Sequence, residues 1–410
     1  MRAGFLKILG KRDFSRIWTA QVLSQLVSNM LTFALILHIY DLTGSLTTIS
    51  LVMIATTIPS VIFGPFSGVL TDRVRYKKVL IYTSILRFLV ALLLIPAANN
   101  TLAILEIIFL MATITQFFAP AELSSIPLIV DRDEIIAANS VYITTLYGAL
   151  IIGYGIAGPL LAVIGSKWLF ILAAIAFLVS AFSINSMSDY DKKESAGNLT
   201  IFNLAKNIVS VWQSTKEGIF YIRNKQNILG SMIKLAVGWA MLGAFIVVLP
   251  GFAELTVNIS AKLAGLVLIA PAGVGMLIAS YLLNKHKNWP KNKIIIVGFV
   301  ICGFTLLTLS LYNLYAFLSF AIVIAVVLMV VLGLSAAFVY ISSQTLLHLN
   351  SDIKMRGRVF GISAMLINIA LGLPALFVGG VADLTSPVFT LIILALVIMI
   401  YSATLLFDEE

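Results

Sequence analysis

The sequence predicts an all-α protein that crosses a membrane twelve times, and three of its features support this fold class. First, 60% of the 410 residues are hydrophobic and only 11% are charged, which is more apolar surface than a soluble chain of this length can bury. Second, apolar runs of spanning length recur along the whole chain. Third, the basic residues between these runs fall almost entirely on one side of the membrane.

The apolar runs give the positions of the twelve predicted helices. Several contain proline or glycine, which membrane helices tolerate. They lie near residues 14–40, 47–70, 79–97, 101–122, 137–164, 167–187, 228–251, 260–283, 292–312, 314–349, 357–383 and 385–407. The first run is too long for the core of a signal peptide, so it is expected to remain as the first helix.

The basic residues indicate the orientation of the helices. Of the 27 lysines and arginines, 23 fall at the N-terminus or in connections on one side, and only Lys167 and Lys262 fall on the other. The positive-inside rule therefore predicts a multi-pass protein of the plasma or bacterial inner membrane with both termini in the cytoplasm. This orientation in a lipid bilayer explains the net charge of +9, so no nucleic-acid partner is predicted.

A central polar stretch divides the chain. Residues 188–227 separate a six-helix half, residues 1–187, from a second six-helix half, residues 228–410. Within this stretch, apolar residues recur at near-helical spacing beside lysines, which predicts an amphipathic helix on the cytoplasmic surface of the membrane. We interpret the stretch as a connector between the halves and not as a binding element.

The two halves carry a weak internal repeat. Residues 70–73 (Leu-Thr-Asp-Arg) end the second helix, and residues 282–285 (Leu-Leu-Asn-Lys) end the eighth, 212 residues later. Gly158-Pro159 in the fifth helix has a counterpart in Leu373-Pro374 of the eleventh, 215 residues later. The similar offset indicates that the halves are duplicated and pseudo-symmetric. Secondary transporters alternate access to a central site by rocking one such half against the other.

A short polar turn between the second and third helices carries the most specific motif. Residues 68–78 contain one acid, Asp72, followed by four bases. This segment resembles the loop motif of the major facilitator superfamily, Gly-x-Leu-Ala-Asp-Arg-x-Gly-Arg-Lys. It matches that pattern at Gly68, Leu70, Asp72, Arg73 and Lys77. Arg75 and Tyr76 stand where the family usually has glycine and arginine.

Two further segments are similar to the macrolide-efflux and enterobactin-exporter branch of that superfamily. One is the connection between the fourth and fifth helices, with Pro120-Ala121 and Ala138-Asn139. The other is the start of the eleventh helix, residues 356–361, followed by Gly380 and Asp383. The resemblance covers nearly the whole chain and implies the major facilitator fold of twelve helices.

The resemblance also implies a conformational latch. Its residues are Gly68, Asp72, Arg73 and Lys77. In the family fold the eleventh helix starts near Asp72, and the partial positive charge of its N-terminus would stabilise the carboxylate. The alternative for this segment is a plain positive-inside anchor.

The fifth helix resembles the antiporter motif that recurs among exporters. Gly155, Gly158 and Pro159 would then belong to a gate helix beside the cavity. Tyr154 stands where the motif usually has a glycine, so the match is partial. Close packing of helices is the alternative use of these glycines, and the two uses are compatible.

Polar side chains inside the spans are the candidates for a substrate cavity. In the family fold, the first, fourth, seventh and tenth helices line the cavity. Polar groups in hydrocarbon face such a lumen or another helix, so helix–helix hydrogen bonding is the alternative. The candidate lining residues are Gln21, Gln25, Asn29, Gln116, Trp239, Gln344 and Asn368.

Charges inside the spans are the candidates for proton coupling, because each costs roughly 2.5–3.5 kcal/mol on insertion scales. Arg87 lies about 12 Å from the cytoplasmic end of the third predicted helix, where it can pair with Glu106 or Glu122 of the fourth. Glu106 is the deepest clear acid, so we expect Glu106 and Arg87 to couple transport to protons. Asp41 and Asp383 are expected to cap or anchor helix ends.

Together these features predict a secondary transporter that exports amphipathic or hydrophobic small molecules by alternating access, in exchange for protons. The sequence lacks the phosphate-binding loop of ATPases, and no cofactor or metal is predicted. Alternatives of the same fold are a lysolipid or siderophore carrier and, with less support, an uptake symporter. An intramembrane enzyme is not favoured, since the membrane separates His38 from His286 and His348. The transporter is expected to be a monomer.

Overall fold

The computed structural model describes residues 8–71, 74–131, 134–189, 212–213, 215–352 and 355–407. Within these ranges the regular structure is helical, and no strand occurs. Eleven of the described helices are long and apolar enough to cross a membrane. The predicted fold class, an all-α polytopic membrane protein, is confirmed.

The spanning helices are numbered in chain order. They are α1 (Arg12–Thr43), α2 (Leu46–Thr71), α3 (Tyr76–Ala97), α4 (Thr101–Ile129), α5 and α6 (the two parts of Ile135–Asn185), α7 (Gln226–Leu255), α8 (Ala261–Lys285), α9 (Lys291–Ser310), α10 (Ala321–Asn350), α11 (Arg356–Leu384) and α12 (Pro387–Phe407). Each of the twelve predicted spans therefore corresponds to one described helix or to one part of the α5–α6 run.

Gly165 separates α5 from α6. The run Ile135–Asn185 has 51 residues, about 77 Å of helix, which is far more than the roughly 30 Å of a bilayer core. Gly165 interrupts it with φ 75° and ψ 168°, a backbone conformation that residues with a β-carbon rarely adopt. A single glycine thus divides the run into two spans.

Two helix boundaries differ from the sequence prediction by seven residues, more than the others do. α4 continues past Pro120 and Pro127 to Ile129 instead of ending near residue 122, because membrane helices tolerate proline where neighbours satisfy the backbone. α10 begins at Ala321 instead of near residue 314, since Tyr312–Tyr315 forms a short separate helix. The connection before Ala321 is rich in aromatic and apolar residues, which is typical of segments at the membrane–water interface. Hydropathy therefore did not reveal that the helix is interrupted there.

The chain divides into two compact units, of which the first comprises residues 1–38 and 55–213. In this unit α3 packs against α4 and against the α5–α6 run. Buried side chains such as Phe14, Phe118 and Ile184 form its apolar core. Phe118 of this core lies against the Arg87 guanidinium of the candidate site.

The second unit comprises residues 39–54 and 214–410, so the end of α1 and the start of α2 group with the later helices. In it α10 packs on α8 and α9, and α7 packs on α11. Glycines bring α8 and α10 into backbone contact, because a β-carbon at Gly275 would clash with the Val330 carbonyl. The proposed halves, 1–187 and 228–410, stay predictions.

The predicted amphipathic helix is described only at its end, because residues 190–211 and 214 lie outside the described residues. Residues 215–223 are helical. The Tyr221 hydroxyl and the Lys225 ammonium donate hydrogen bonds to the Asp352 carboxylate at 2.7 and 3.0 Å, and these bonds lower the pKa of Asp352. They fasten the end of the connector to the turn between α10 and α11.

Candidate functional site

A polar cluster is buried inside the first unit. Its charged members are Arg87 of α3 and Glu122 of α4, and each is only 1% exposed. α3 begins at Tyr76, earlier than predicted, so Arg87 lies about 16 Å along the helix. The Arg87 guanidinium interacts electrostatically with the Glu122 carboxyl. Of the two acids that the sequence offered to Arg87, the structure brings Glu122 to it.

Aromatic rings enclose the Arg87 guanidinium. Its central carbon lies 4.0 Å from the ring centroid of Phe118 and 4.9 Å from that of Phe177, distances at which a ring face attracts a cation. One terminal nitrogen donates to the Ser24 hydroxyl at 3.3 Å. The Nε atom has no hydrogen-bond partner among the described residues. The cation is therefore held by rings and one hydroxyl, without the paired hydrogen bonds of a bidentate ion pair.

Glu122 has fewer hydrogen bonds than an ionised carboxylate usually accepts. Neither of its oxygens accepts one of ordinary geometry from the described residues, although the Tyr142 hydroxyl lies beside the carboxyl. Around this pair, Gln21 donates its amide N–H to the Tyr142 carbonyl oxygen at 3.1 Å. The hydroxyls of Ser24 and Ser180 lie 3.3 Å apart. The cluster thus contains a carboxyl whose charge is poorly compensated.

Glu106 lies far from this cluster. It occupies the second turn of α4 and is exposed. It precedes Glu122 by sixteen residues, which is about 24 Å along the helix. The structure therefore does not bring Glu106 to Arg87, and a role of Glu106 in proton coupling stays a prediction.

A second polar contact ties α2 to α11 within the second unit. The Asp383 carboxylate, near the end of α11, accepts hydrogen bonds from the N–H groups of Leu46 and Thr47 at 2.8 and 2.9 Å. The hydroxyls of Ser45 and Thr47 also donate to it, both at 2.7 Å. The first N–H groups of a helix lack intrahelical partners, so Asp383 caps α2, and its charge suits the positive helix end.

The same two helices touch along two further turns. Ser50 donates its hydroxyl to the Ala375 carbonyl oxygen at 2.7 Å. A β-carbon on Gly379 would clash with the Ser50 hydroxyl and would lie 2.5 Å from the Leu46 carbonyl oxygen. Because Ala375, Gly379 and Asp383 recur every four residues, they lie on one face of α11. This face forms a continuous contact with the first turns of α2.

An ion pair at the end of α1 adds to this contact. Asp41 accepts from the Lys262 ammonium of α8, with 2.9 Å between Nζ and Oδ2. The expectation that Asp41 and Asp383 cap or anchor helix ends is confirmed. The end of α1 and the start of α2 are thereby fastened to α8 and α11.

The residues of the predicted latch are only partly described. Asp72 and Arg73 lie outside the described residues, and for Gly68 only its position in α2 is described. Lys77 donates to the Met187 carbonyl oxygen, just after α6, at 2.6 Å. The latch itself stays a prediction.

The predicted gate helix contains a close contact that the motif does not include. Gly155 and Gly158 are buried in α5, and Pro159 is half-buried. α5 approaches α1 closely at Gly153, where a β-carbon would lie 2.8 Å from the β-carbon of Asn29. α1 and α5 can pack this closely only because position 153 has no side chain.

Four of the candidate cavity residues use their amides in hydrogen bonds, in two different ways. Gln21 uses its amide in the hydrogen bond to α5 described above, which is the helix–helix alternative left open by the sequence. Asn29, Gln116 and Asn368 donate to the carbonyl oxygen four residues earlier in their own helices, at 2.8, 3.3 and 3.0 Å. Amides bonded in this local way can be released to a ligand without separating helices.

The remaining candidates lie on α1, α7 and α10. Trp239 packs edge-to-face on Tyr340, with 5.8 Å between ring centroids, and its indole N–H has no partner among the described residues. Gln25 and Gln344 are half-buried. Trp239 therefore offers an unused donor. No set of His, Cys, Asp and Glu side chains in the described ranges could hold a metal ion.

Sequence reasoning underestimated Glu122 and missed Tyr142. One signal was available, because Phe118 and Glu122 are four residues apart and share a face of α4. A ring and a carboxylate on one face are suitable partners for the buried arginine of a neighbouring helix. Tyr142 carries no comparable signal, since its position depends on how α5 packs.

Three comparisons with known proteins agree with this architecture. Residues 17–373 match the family profile of the Major Facilitator Superfamily. The putative bacilysin exporter BacE of Bacillus subtilis (strain 168) is 24% identical over 368 residues, 88% of this chain and 85% of that protein. Macrolide efflux protein A of Streptococcus pyogenes is 25% identical over 378 residues, 88% of this chain and 87% of that protein.

Solved structures show the same fold. The nucleoside transporter NupG superposes with a TM-score of 0.75 at 13% identity, over 97% of this chain and 98% of that one. A bacterial homologue of the human lysosomal transporter Spinster gives a TM-score of 0.70 at 14% identity, over 94% and 84%. At 13–14% identity, this similarity shows a shared fold and does not indicate a shared substrate.

Proposed function

Because the chain belongs to the Major Facilitator Superfamily, we propose that it exports amphipathic or hydrophobic small molecules, including drug-like compounds, by alternating access. The chain is a multi-pass membrane transporter and not an enzyme. The observation that supports export is the similarity to two proteins named for efflux or export, each over 88% of the chain. The polar candidates of α1, α4, α7, α10 and α11 would contact the substrate.

The proposal includes coupling to protons. The antiporter-like glycines of α5 support an exchange in which protons enter while substrate leaves. Both termini are cytoplasmic in this proposal, in the plasma or inner membrane, as the positive-inside rule requires. A monomer suffices, because both repeats that build a midplane site are present in one chain.

The test is uptake of radiolabelled erythromycin, a macrolide, into inverted membrane vesicles. Inversion turns export into uptake, so we expect accumulation when the vesicle interior is acidic and its loss when nigericin collapses the pH gradient. Vesicles without the protein are the control. Uptake that is equal with and without the gradient would remove proton coupling. Transport of labelled lysophosphatidylcholine or a siderophore, but not of erythromycin, would favour the lipid or siderophore carrier.

We also propose that Asp72 acts as a conformational latch with Gly68, Arg73 and Lys77. Asp72→Asn removes the negative charge but keeps the shape. An anion at a helix N-terminus contributes 0.3–2 kcal/mol, so the transport rate is expected to fall by about 2- to 30-fold. Insertion and expression should not change.

The matched control for this variant is Asp189→Asn. Asp189 pairs with Arg75 at 3.4 Å, and the Asp189 side chain is 64% exposed. Exposed ion pairs contribute little, so Asp189→Asn should transport at the parental rate. Parental transport by Asp72→Asn as well would leave the segment as an orientation signal only.

A further inference from the structure

We propose that Glu122 is the proton-binding group of this transporter and that Arg87 controls its charge. The inference rests on the proposed antiport function and identifies the site of coupling. In one state a proton from water binds a carboxylate oxygen of Glu122 and neutralises it. In another state the O–H bond breaks, the proton returns to water on the other side, and the carboxylate is restored.

The surroundings of Glu122 make an ionised carboxylate unfavourable in the described arrangement. The side chain is 1% exposed and lies within the membrane-spanning part of α4. A buried carboxylate needs hydrogen bonds and a closely bonded cation to offset the loss of hydration. Neither oxygen accepts a hydrogen bond of ordinary geometry from the described residues, whereas the Arg87 guanidinium bonds to Ser24 and lies against two rings.

The groups that face Glu122 allow its charge to change. α3 contributes Arg87, and α5 contributes the Tyr142 hydroxyl, which can donate to a carboxylate. α1 contributes the Ser24 hydroxyl, which accepts from the guanidinium, and α6 contributes the Ser180 hydroxyl beside Ser24. Neither hydroxyl carries a charge. Within this described cluster, one proton therefore changes the net charge from zero to plus one.

That change links the proton to conformation. The buried arrangement holds the neutral acid more easily than the carboxylate, because two rings and the Ser24 hydroxyl stabilise the Arg87 cation, whereas neither oxygen of Glu122 accepts a hydrogen bond of ordinary geometry from the described residues. Uptake of the proton should therefore favour the buried state, and its loss should favour a state in which Glu122 reaches water. A ligand shifts an equilibrium between two states by its difference in affinity for them, and here the proton is that ligand.

The test compares Glu122→Gln with Glu106→Gln, the competing acid of the same helix, in proteoliposomes of the full-length protein. Labelled erythromycin is followed in two modes, driven by a pH gradient and exchanged at equal pH. We expect Glu122→Gln to lose gradient-driven transport down to the level of protein-free liposomes and to keep exchange, while Glu106→Gln keeps both. Loss in Glu106→Gln with retention in Glu122→Gln would overturn the inference.

An infrared measurement makes the test independent of the transported probe. pH-difference spectra of the purified protein should contain a band from a buried protonated carboxyl that is absent in Glu122→Gln and present in Glu106→Gln. An unchanged band in Glu122→Gln would also overturn the inference. If the parent shows no gradient-driven transport but Glu122→Gln still loses the band, the antiport function fails and the proton site stands.

A second variant keeps the test valid if Glu122→Gln does not fold. Glu122→Gln leaves the Arg87 guanidinium buried without a counter-charge, which can prevent folding. The double variant Arg87→Gln/Glu122→Gln removes both charges. It is expected to lose gradient-driven transport and the carboxyl band while it keeps exchange, and retention of the band would contradict the assignment.

Discussion

Replacing Arg87 with methionine is expected to destabilise the protein by about 3–5 kcal/mol at neutral pH, the usual effect of removing one partner of a buried ion pair. Methionine keeps an unbranched apolar stem but has no guanidinium to lie against Phe118 and Phe177. It leaves the Glu122 carboxyl buried without a cation. Thermal or denaturant unfolding of the purified protein in detergent measures the loss.

The double variant Arg87→Met/Glu122→Met is the control for this prediction. It removes both charges and should recover most of the stability, because an apolar replacement of a whole buried pair is often neutral or stabilising. The effect of the single variant should also shrink as the pH falls, since Glu122 then becomes neutral by taking up a proton. A single variant as stable as the parent at neutral pH would show that the pair contributes nothing.

Leucine at Gly379 is expected to destabilise the second unit by about 1–3 kcal/mol or more, the range for side chains forced into a packed site. The new β-carbon would collide with Ser50 and with the Leu46 carbonyl oxygen. α11 must then move away from α2, and Asp383 would lose its hydrogen bonds to the start of that helix. Hydrogen exchange at the Leu46 and Thr47 amides should accelerate, together with a lower unfolding temperature.

Gly380 provides the matched control, because a β-carbon there would have no atom within 4 Å. Gly380→Leu changes the same residue type one position along α11 and faces away from α2. It should leave the exchange of Leu46 and Thr47 unchanged. Equal effects of the two leucine variants would mean that the α2–α11 contact is not responsible.

Most of the fold was predictable because hydrophobicity decides where a chain can cross a bilayer. The break at Gly165 lies between the predicted runs 137–164 and 167–187. Its positive φ explains why glycine is the residue at the break. The late start of α10 was missed, since the connection before Ala321 is itself rich in leucine and aromatic residues. Hydropathy measures how residues partition into the membrane and does not measure where hydrogen bonding of a helix stops.

The candidate site was predictable only in part, because it depends on which helix faces meet. Arg87 stood out as a charge in a span, but depth along the sequence favoured Glu106, whereas packing brings Glu122 to the guanidinium. Gln21 was a polar residue in hydrocarbon, and only the structure shows that its amide bonds to α5. Such choices depend on the rotation of each helix about its axis, which one sequence does not specify.

The cap on α2 has a consequence for how the protein is made. Asp383 follows Thr47 by 336 residues, which at 5–20 residues per second is about 17–70 s of synthesis. During that time the first turn of α2 has no carboxylate on its N–H groups. A chain that stalls or is cut before α11 therefore keeps the start of α2 without its cap, so the last helix pair synthesised completes a helix made near the beginning.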